Sequence, residues 1–143
     1  MATEFLIVCR YGEVEQAQLT LNVLNSKARQ DLILFANEQG NTCLHYAAAN
    51  GHHEMLQILL NYLPFEVSVD IGNVEGNSPL HWACLNKHLE TCRVLINRNA
   101  RVGLRNKLGK SCVSLCIEGD DEGLVKFILC KLIIITTQLT PKL

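Results

Sequence analysis

A pattern that returns along the chain limits the fold more than any single motif does. The stretch Asn37 to Leu60, NEQGNTCLHYAAANGHHEMLQILL, reappears 36 residues later as NVEGNSPLHWACLNKHLETCRVLI, Asn73 to Ile96. Asn37, Gly40, Asn41, Leu44, His45, Ala47, Asn50 and His52 recur as Asn73, Gly76, Asn77, Leu80, His81, Ala83, Asn86 and His88. A third copy, NKLGKSCVSLCIEGDDEGLVKFIL, follows 33 residues on, keeping Asn106, Gly109 and Ser111 but placing Ser114 where the histidine stood. Units of this length cannot bury an apolar face alone, so the copies have to stack. A degraded end copy suits a unit that meets water on one side.

Each copy carries local signals in the same order. Gly40, Gly76 and Gly109 permit the positive φ of a tight turn. Two residues later Thr42, Ser78 and Ser111 are N-cap types, able to accept from the first free amides of a helix. Pro79 then suits the first helical position. A short helix of small apolar residues is expected to end near Asn50-Gly51 or Asn86-Lys87. A second helix follows, with Met55, Leu56, Leu59 and Leu60, or Leu89, Val94 and Leu95, at helical spacing. The unit is therefore turn, helix, helix.

This order of signals resembles the ankyrin-repeat family, whose signature T-P-L-H-x-A recurs in units of about 33 residues. SPLHWA at Ser78 to Ala83 and TCLHYAAANGH at Thr42 to His52 carry the likeness, and Cys9 to Leu24 looks like a first repeat lacking its finger, with Gly12 between its helices. An insertion before Asn37 and extra residues at Tyr62 to Gly72 depart from the standard unit. The resemblance implies an all-α ankyrin-repeat solenoid of about four repeats, near 1–36, 37–72, 73–105 and 106–132, with a tail at 133–143. AAANGH, LHWACLN and RNKLG are similar to a yeast ankyrin family that chaperones a small-subunit ribosomal protein; its acidic C-terminal tail is replaced here by KLIIITTQLTPKL.

Family geometry places the finger tips and one side of the first helix on a concave, partner-binding face. Here those positions are Glu38, Gln39, Asn41, Tyr46, Ala49 and Asn50, then Val74, Glu75, Asn77, Trp82, Leu85 and Asn86. The resemblance implies a non-enzymatic, monomeric protein-binding module whose partner is a basic ribosomal protein. A regulatory adaptor for a signalling or transcription protein is the alternative, and a cysteine-dependent enzyme the distant third.

The residues that could carry chemistry fall on these repeat positions. His81, Cys84, His88 and Cys92 have helical spacing for zinc, but the copy at Thr42 to His52 keeps both histidines and has Ala48 for Cys84. No metal and no cofactor are expected. Cys84 beside His81 or His88 would be the one nucleophile and base, and its repeat equivalent is again that alanine. No phosphate-binding glycine loop, H-E-x-x-H or G-x-S-x-G is present.

The 143 residues suit one domain, and 48% hydrophobic with 19% charged residues suits a folded core. A net charge of −1 gives no global case for nucleic acid or an anionic membrane. The charge is nevertheless segregated, with net −6 over residues 1–92, +6 over 93–117 and −4 over 118–122. An acidic strip that steers a basic partner is one reading of this, and Arg98 to Lys110 offers a second contact surface.

Seven cysteines without a C-x-x-C read as free thiols in a reducing compartment. With no secretory signal and no apolar run near the ~20 residues of a membrane span, a soluble cytoplasmic or nuclear protein is expected. Ile133 to Ile135 with Thr136 and Thr137 has strand propensity and no helical period, so the tail is expected to fold back over the last repeat as an irregular cap or to be held by a partner.

Overall fold

The computed structural model describes residues 1–139, all but one small bridge of it built from helices and turns. Helix pairs follow one another as α1 (Ala2–Tyr11) with α2 (Val14–Asn22), α4 (Cys43–Ala49) with α5 (His53–Asn61), α6 (Pro79–Leu85) with α7 (Leu89–Asn97), and α8 (Cys112–Glu118) with α9 (Glu122–Leu139). The helix α3 (Ser26–Leu34) occupies the insertion before Asn37, started by Asn25, whose side chain accepts from the Ala28 amide at 2.9 Å. The first helices of the pairs line up as α1, α4, α6 and α8, and the second helices as α2, α5 and α7. Each inner helix buries small residues against its neighbours, among them Cys9, Ala47, Ala48, Ala83, Cys84, Cys112 and Cys116. The outer helices bury the longer Met55, Leu56, Leu59, Leu60, Leu95, Leu124 and Ile128 on one stripe. Bulk on one row and small side chains on the other give each pair its shape in the stack.

Side-chain hydrogen bonds tie each finger to the repeat before it. At the cap of α4 the Thr42 amide donates to His45 Nδ1 at 3.1 Å, so the proton sits on Nε2 and is donated forward to the Asn77 carbonyl at 2.8 Å. His81 repeats this, taking the Ser78 amide at 3.1 Å and giving to the Lys110 carbonyl at 3.1 Å. Ser114 stands in the same slot of α8; its hydroxyl receives the Ser111 amide and turns back to the Ser111 carbonyl, and no further finger follows it among the described residues. An asparagine ladder supplies a second tie. Oδ1 of Asn73 accepts from the amides of Glu75 and Asn77 while its Nδ2 donates to Asn41 at 2.9 Å, and Asn106 does the same with Leu108, Lys110 and Asn77.

A backward bond explains two glycines. His52 Nε2 lies 2.9 Å from the Arg10 carbonyl and His88 Nε2 3.1 Å from that of Ala49. For these rings to fit, Gly12 and Gly51 must lack a side chain, since a Cβ on either would come within 2.7 Å of the histidine. Both also have positive φ, 71° and 73°. The third equivalent is Lys87, at φ 62°, and the residue in register with His52 and His88 in the next repeat is Asp121, so no ring competes for the space. Left-handed backbone costs an L-residue about 1–2 kcal/mol, partly offset by the entropy glycine loses on folding. Lys87→Gly is therefore expected to raise stability by about 0.5 kcal/mol, read as a higher urea midpoint with an unchanged slope.

The tail departs from the sequence expectation. Residues 133–139 continue α9 as helix, so position 132/133 lies inside an element, and 140–143 lie outside the described residues. Packing of Leu124 and Ile128 anchors the first turns, after which each further residue adds a hydrogen bond without a new nucleus. That outweighs the strand propensity of isoleucine and threonine. The Thr136 hydroxyl bonds back to the Leu132 and Ile133 carbonyls and that of Thr137 to Ile134, satisfying both within the helix.

Candidate protein-binding surface

The fingers lie against one side of the inner helices. Asn37, at the base of the first finger, donates to the Tyr46 hydroxyl at 2.8 Å, which puts Tyr46 on that side of α4. Trp82 occupies the equivalent place on α6, its ring edge-on to Tyr46 at 6.4 Å between centroids and to the His45 ring at 5.8 Å. Registering α1 through Gly12 places Ile7 in the same slot as Tyr46 and Trp82. Arg10, Ala49 and Leu85 form a second row one turn on. Ile7 and Leu85 are more than half exposed, and the Arg10 guanidinium lies 5.9 Å from the Tyr46 ring. Thr3, Leu6, Ile7, Arg10, Asn37 and Tyr46 line a cleft of ≈ 200 Å³. Between the last two fingers, Val74, Glu75, Asn77, Asn106, Lys107 and Leu108 line another of ≈ 270 Å³. Ile7 and Arg10 were missed in the sequence, although the Gly12 register would have found them.

The expected contact residues divide by what their side chains already do. Tyr46, Ala49, Trp82 and Leu85 form the strip, with Asn50 and Asn86 exposed at its edge and each donating to the carbonyl one turn back, Tyr46 or Trp82. Glu38, Gln39, Val74 and Glu75 are exposed at the finger tips. Asn41, expected on the open face, is instead buried and accepts from Asn73. Asn77 is half-buried; its Oδ1 receives Asn106 and its amide reaches Glu75 at 3.1 Å. Both asparagines are occupied in joining fingers, which is why the repeats share them.

The basic segment is largely committed within the fold. Arg98 donates to the carbonyls of Leu60, Leu63 and Pro64 and stacks over Phe65, closing the end of α5. Arg101 donates through backbone and side chain to Asp70, Arg93 pairs with Glu90 and covers Phe127, and Lys110 pairs with Glu118. Arg105 donates to the Gly109 carbonyl. Glu38 and Glu75, by contrast, make no ion pair among the described residues.

The cysteines correct the free-thiol expectation. Cys84 and Cys112 are joined in a disulfide between α6 and α8, with Cα atoms 5.8 Å apart. Spacing along the chain hid this, because the partners are 28 residues apart and meet only when repeats stack. Burial pushes the thiol of Cys92 up to about 12 and that of Cys116 to about 11, far from a thiolate at neutral pH. Burial also holds His45 and His81 below the usual imidazole range, and their ring nitrogens are engaged by the caps and the next finger. Both ring nitrogens of His81 are thus taken, and Cys84 is held in the disulfide. The set His81, Cys84, His88 and Cys92 does not converge on one point, since both histidines face carbonyls. The sulfurs of Cys84, Cys112 and Cys116 do lie within 4.8 Å of one another, but with the first two joined only one thiol remains to ligate.

No described helix is long and apolar enough to cross a membrane. No curated protein matches the chain. The model for ankyrin repeats (3 copies) matches residues 5–106 and again 62–138, and with the finger, cap and helix-pair geometry above this chain belongs to the ankyrin-repeat family, whose repeats are protein-interaction modules.

Proposed function

We propose that the finger side of the stack binds a segment of another protein that carries basic side chains. The observation behind this reading is the juxtaposition of an apolar strip, Ile7, Tyr46, Trp82 and Leu85, with the finger-tip carboxylates of Glu38 and Glu75, which make no ion pair among the described residues. Aromatic area at the centre supplies affinity, and rim charge supplies steering. A basic ribosomal protein has this chemistry, and the role that follows is a chaperone that covers its basic surface in the cytoplasm or nucleus until assembly. Arg10 on the same strip favours, as a second reading, an adaptor for a signalling or transcription partner of mixed charge.

Affinity purification of the tagged full chain with mass spectrometry identifies the partner. Surface kinetics with the Glu38→Gln/Glu75→Gln double variant at two salt concentrations then tests the chemistry. Association at low salt should slow about tenfold and lose most of its salt dependence, with dissociation changed less than about twofold. Wild-type association with unaltered salt dependence would remove the basic partner and leave the adaptor reading.

A further inference from the structure

The pair Cys84 and Cys112 is one instance of a position pair that the stack repeats. Cys9, Ala48 and Cys84 are equivalent, each three residues before the left-handed residue that ends its inner helix region, Gly12, Gly51 or Lys87. Cys43, Pro79 and Cys112 are equivalent too, each the first residue of an inner helix directly after the cap Thr42, Ser78 or Ser111. Stacking sets the first group of one repeat against the second group of the next. The three interfaces therefore hold Cys9 with Cys43, Ala48 with Pro79, and Cys84 with Cys112. All four cysteines are buried, the Cys9 thiol is near enough to Cys43 to act with burial in raising its pKa, and Cys43 donates to the Ile33 carbonyl of α3 at 3.0 Å. Cysteine pairs stand at the two end interfaces, and the central interface cannot be cross-linked.

We propose that this position pair is an inter-repeat cross-linking site, closed at Cys84–Cys112 by exchange with a small-molecule disulfide and present in its reduced form at Cys9–Cys43. Among the described residues the α8–α9 repeat has one neighbouring repeat, and a repeat held on one side opens more readily than one held on two. The last interface also lacks the backward imidazole bond made by His52 and His88, since Asp121 takes that place and caps α9 through the Leu124 amide. A covalent tie there replaces a missing polar one. Because both sulfurs are buried, the exchange proceeds through opening of α8 and α9. One cysteine, as thiolate, attacks a sulfur of the small disulfide and releases the first small thiol. The second cysteine then attacks the mixed disulfide and releases the other. Two protein thiols are oxidised to one disulfide, the small disulfide is reduced to two thiols, and the two protein protons end on those thiols. Cys92, with its sulfur 3.7 Å from that of Cys84, and Cys116, whose sulfur lies within 4.8 Å of both partners, are the thiols that compete for the link.

The full chain, equilibrated with mixtures of reduced and oxidised glutathione, acid-quenched, alkylated and mapped by mass spectrometry, should yield a Cys84–Cys112 linked peptide. Amides of α8 and α9 should exchange with deuterium at least about tenfold more slowly in the oxidised than in the reduced protein. The difference should vanish in Cys84→Ala, which copies position 48. Cys112→Pro, which copies position 79, serves if the first variant does not fold. Alkylation of all seven cysteines as free thiols under excess glutathione disulfide would overturn the proposal. So would a link of Cys84 to Cys92 or Cys116, equal exchange in the two states, or stoichiometric zinc retained by the reduced chain that blocks the cross-link.

Discussion

Replacing His45 with alanine is expected to cost the stack about 3–4 kcal/mol, a large part of the roughly 5–15 kcal/mol that holds a domain folded. The ring is fully buried and serves both sides of an interface, so its removal strands the Thr42 amide in one repeat and the Asn77 carbonyl in the next. Each buried group left unsatisfied costs about 1–3 kcal/mol, and the cavity left by the ring adds to it. Urea unfolding of the variant should show the lower midpoint, with a shallower slope as the repeats uncouple. The same ring makes stability depend on pH. Burial lowers the pKa of His45 and of His81 below the ordinary imidazole value of about 6.5, so near and below that pH the unfolded chain binds protons that the folded one refuses. Stability from these two groups is complete above the unfolded pKa and is lost as the pH falls through it toward the lowered folded value. Unfolding midpoints at pH 7.5, 6.0 and 5.0 should fall in that order, and less steeply in His45→Ala. A midpoint independent of pH over this range would contradict the buried neutral tautomer.

Trp82→Ala should weaken the partner complex by at least about 2 kcal/mol, roughly thirtyfold in Kd. Trp82 is half-buried, edge-on to His45 and Tyr46, and is held from below while part of its surface stays open beside Leu85. An aromatic anchored in this way loses little freedom on binding and brings a large apolar area. Unfolding of the free variant must be measured alongside, because contact with the His45 ring ties Trp82 to the repeat interface. Wild-type affinity in a folded variant would move the binding surface to the opposite side of the stack.

The chain by itself determined the units and their punctuation. Gly40, Gly76 and Gly109 do adopt positive φ, Thr42, Ser78 and Ser111 do head their helices, and Gly12 does separate the first pair. These follow from a few neighbouring residues, because backbone sterics and cap bonds act over three or four positions. The slot shared by Tyr46 and Trp82 was legible for the same reason, since equivalent positions of a repeat occupy equivalent places. Tertiary structure decided what depends on a partner far along the chain. Arg98 and Arg101 looked like open charge until Leu60, Leu63, Pro64 and Asp70 were placed beside them. Asn41 looked available until Asn73 covered it. Cys84 found Cys112 across an interface, and Ile133 to Ile135 became helix because the packed start of α9 had already met the cost of nucleation. In each case the deciding energy lies in contacts between repeats, and a local reading has no access to which surfaces those contacts consume.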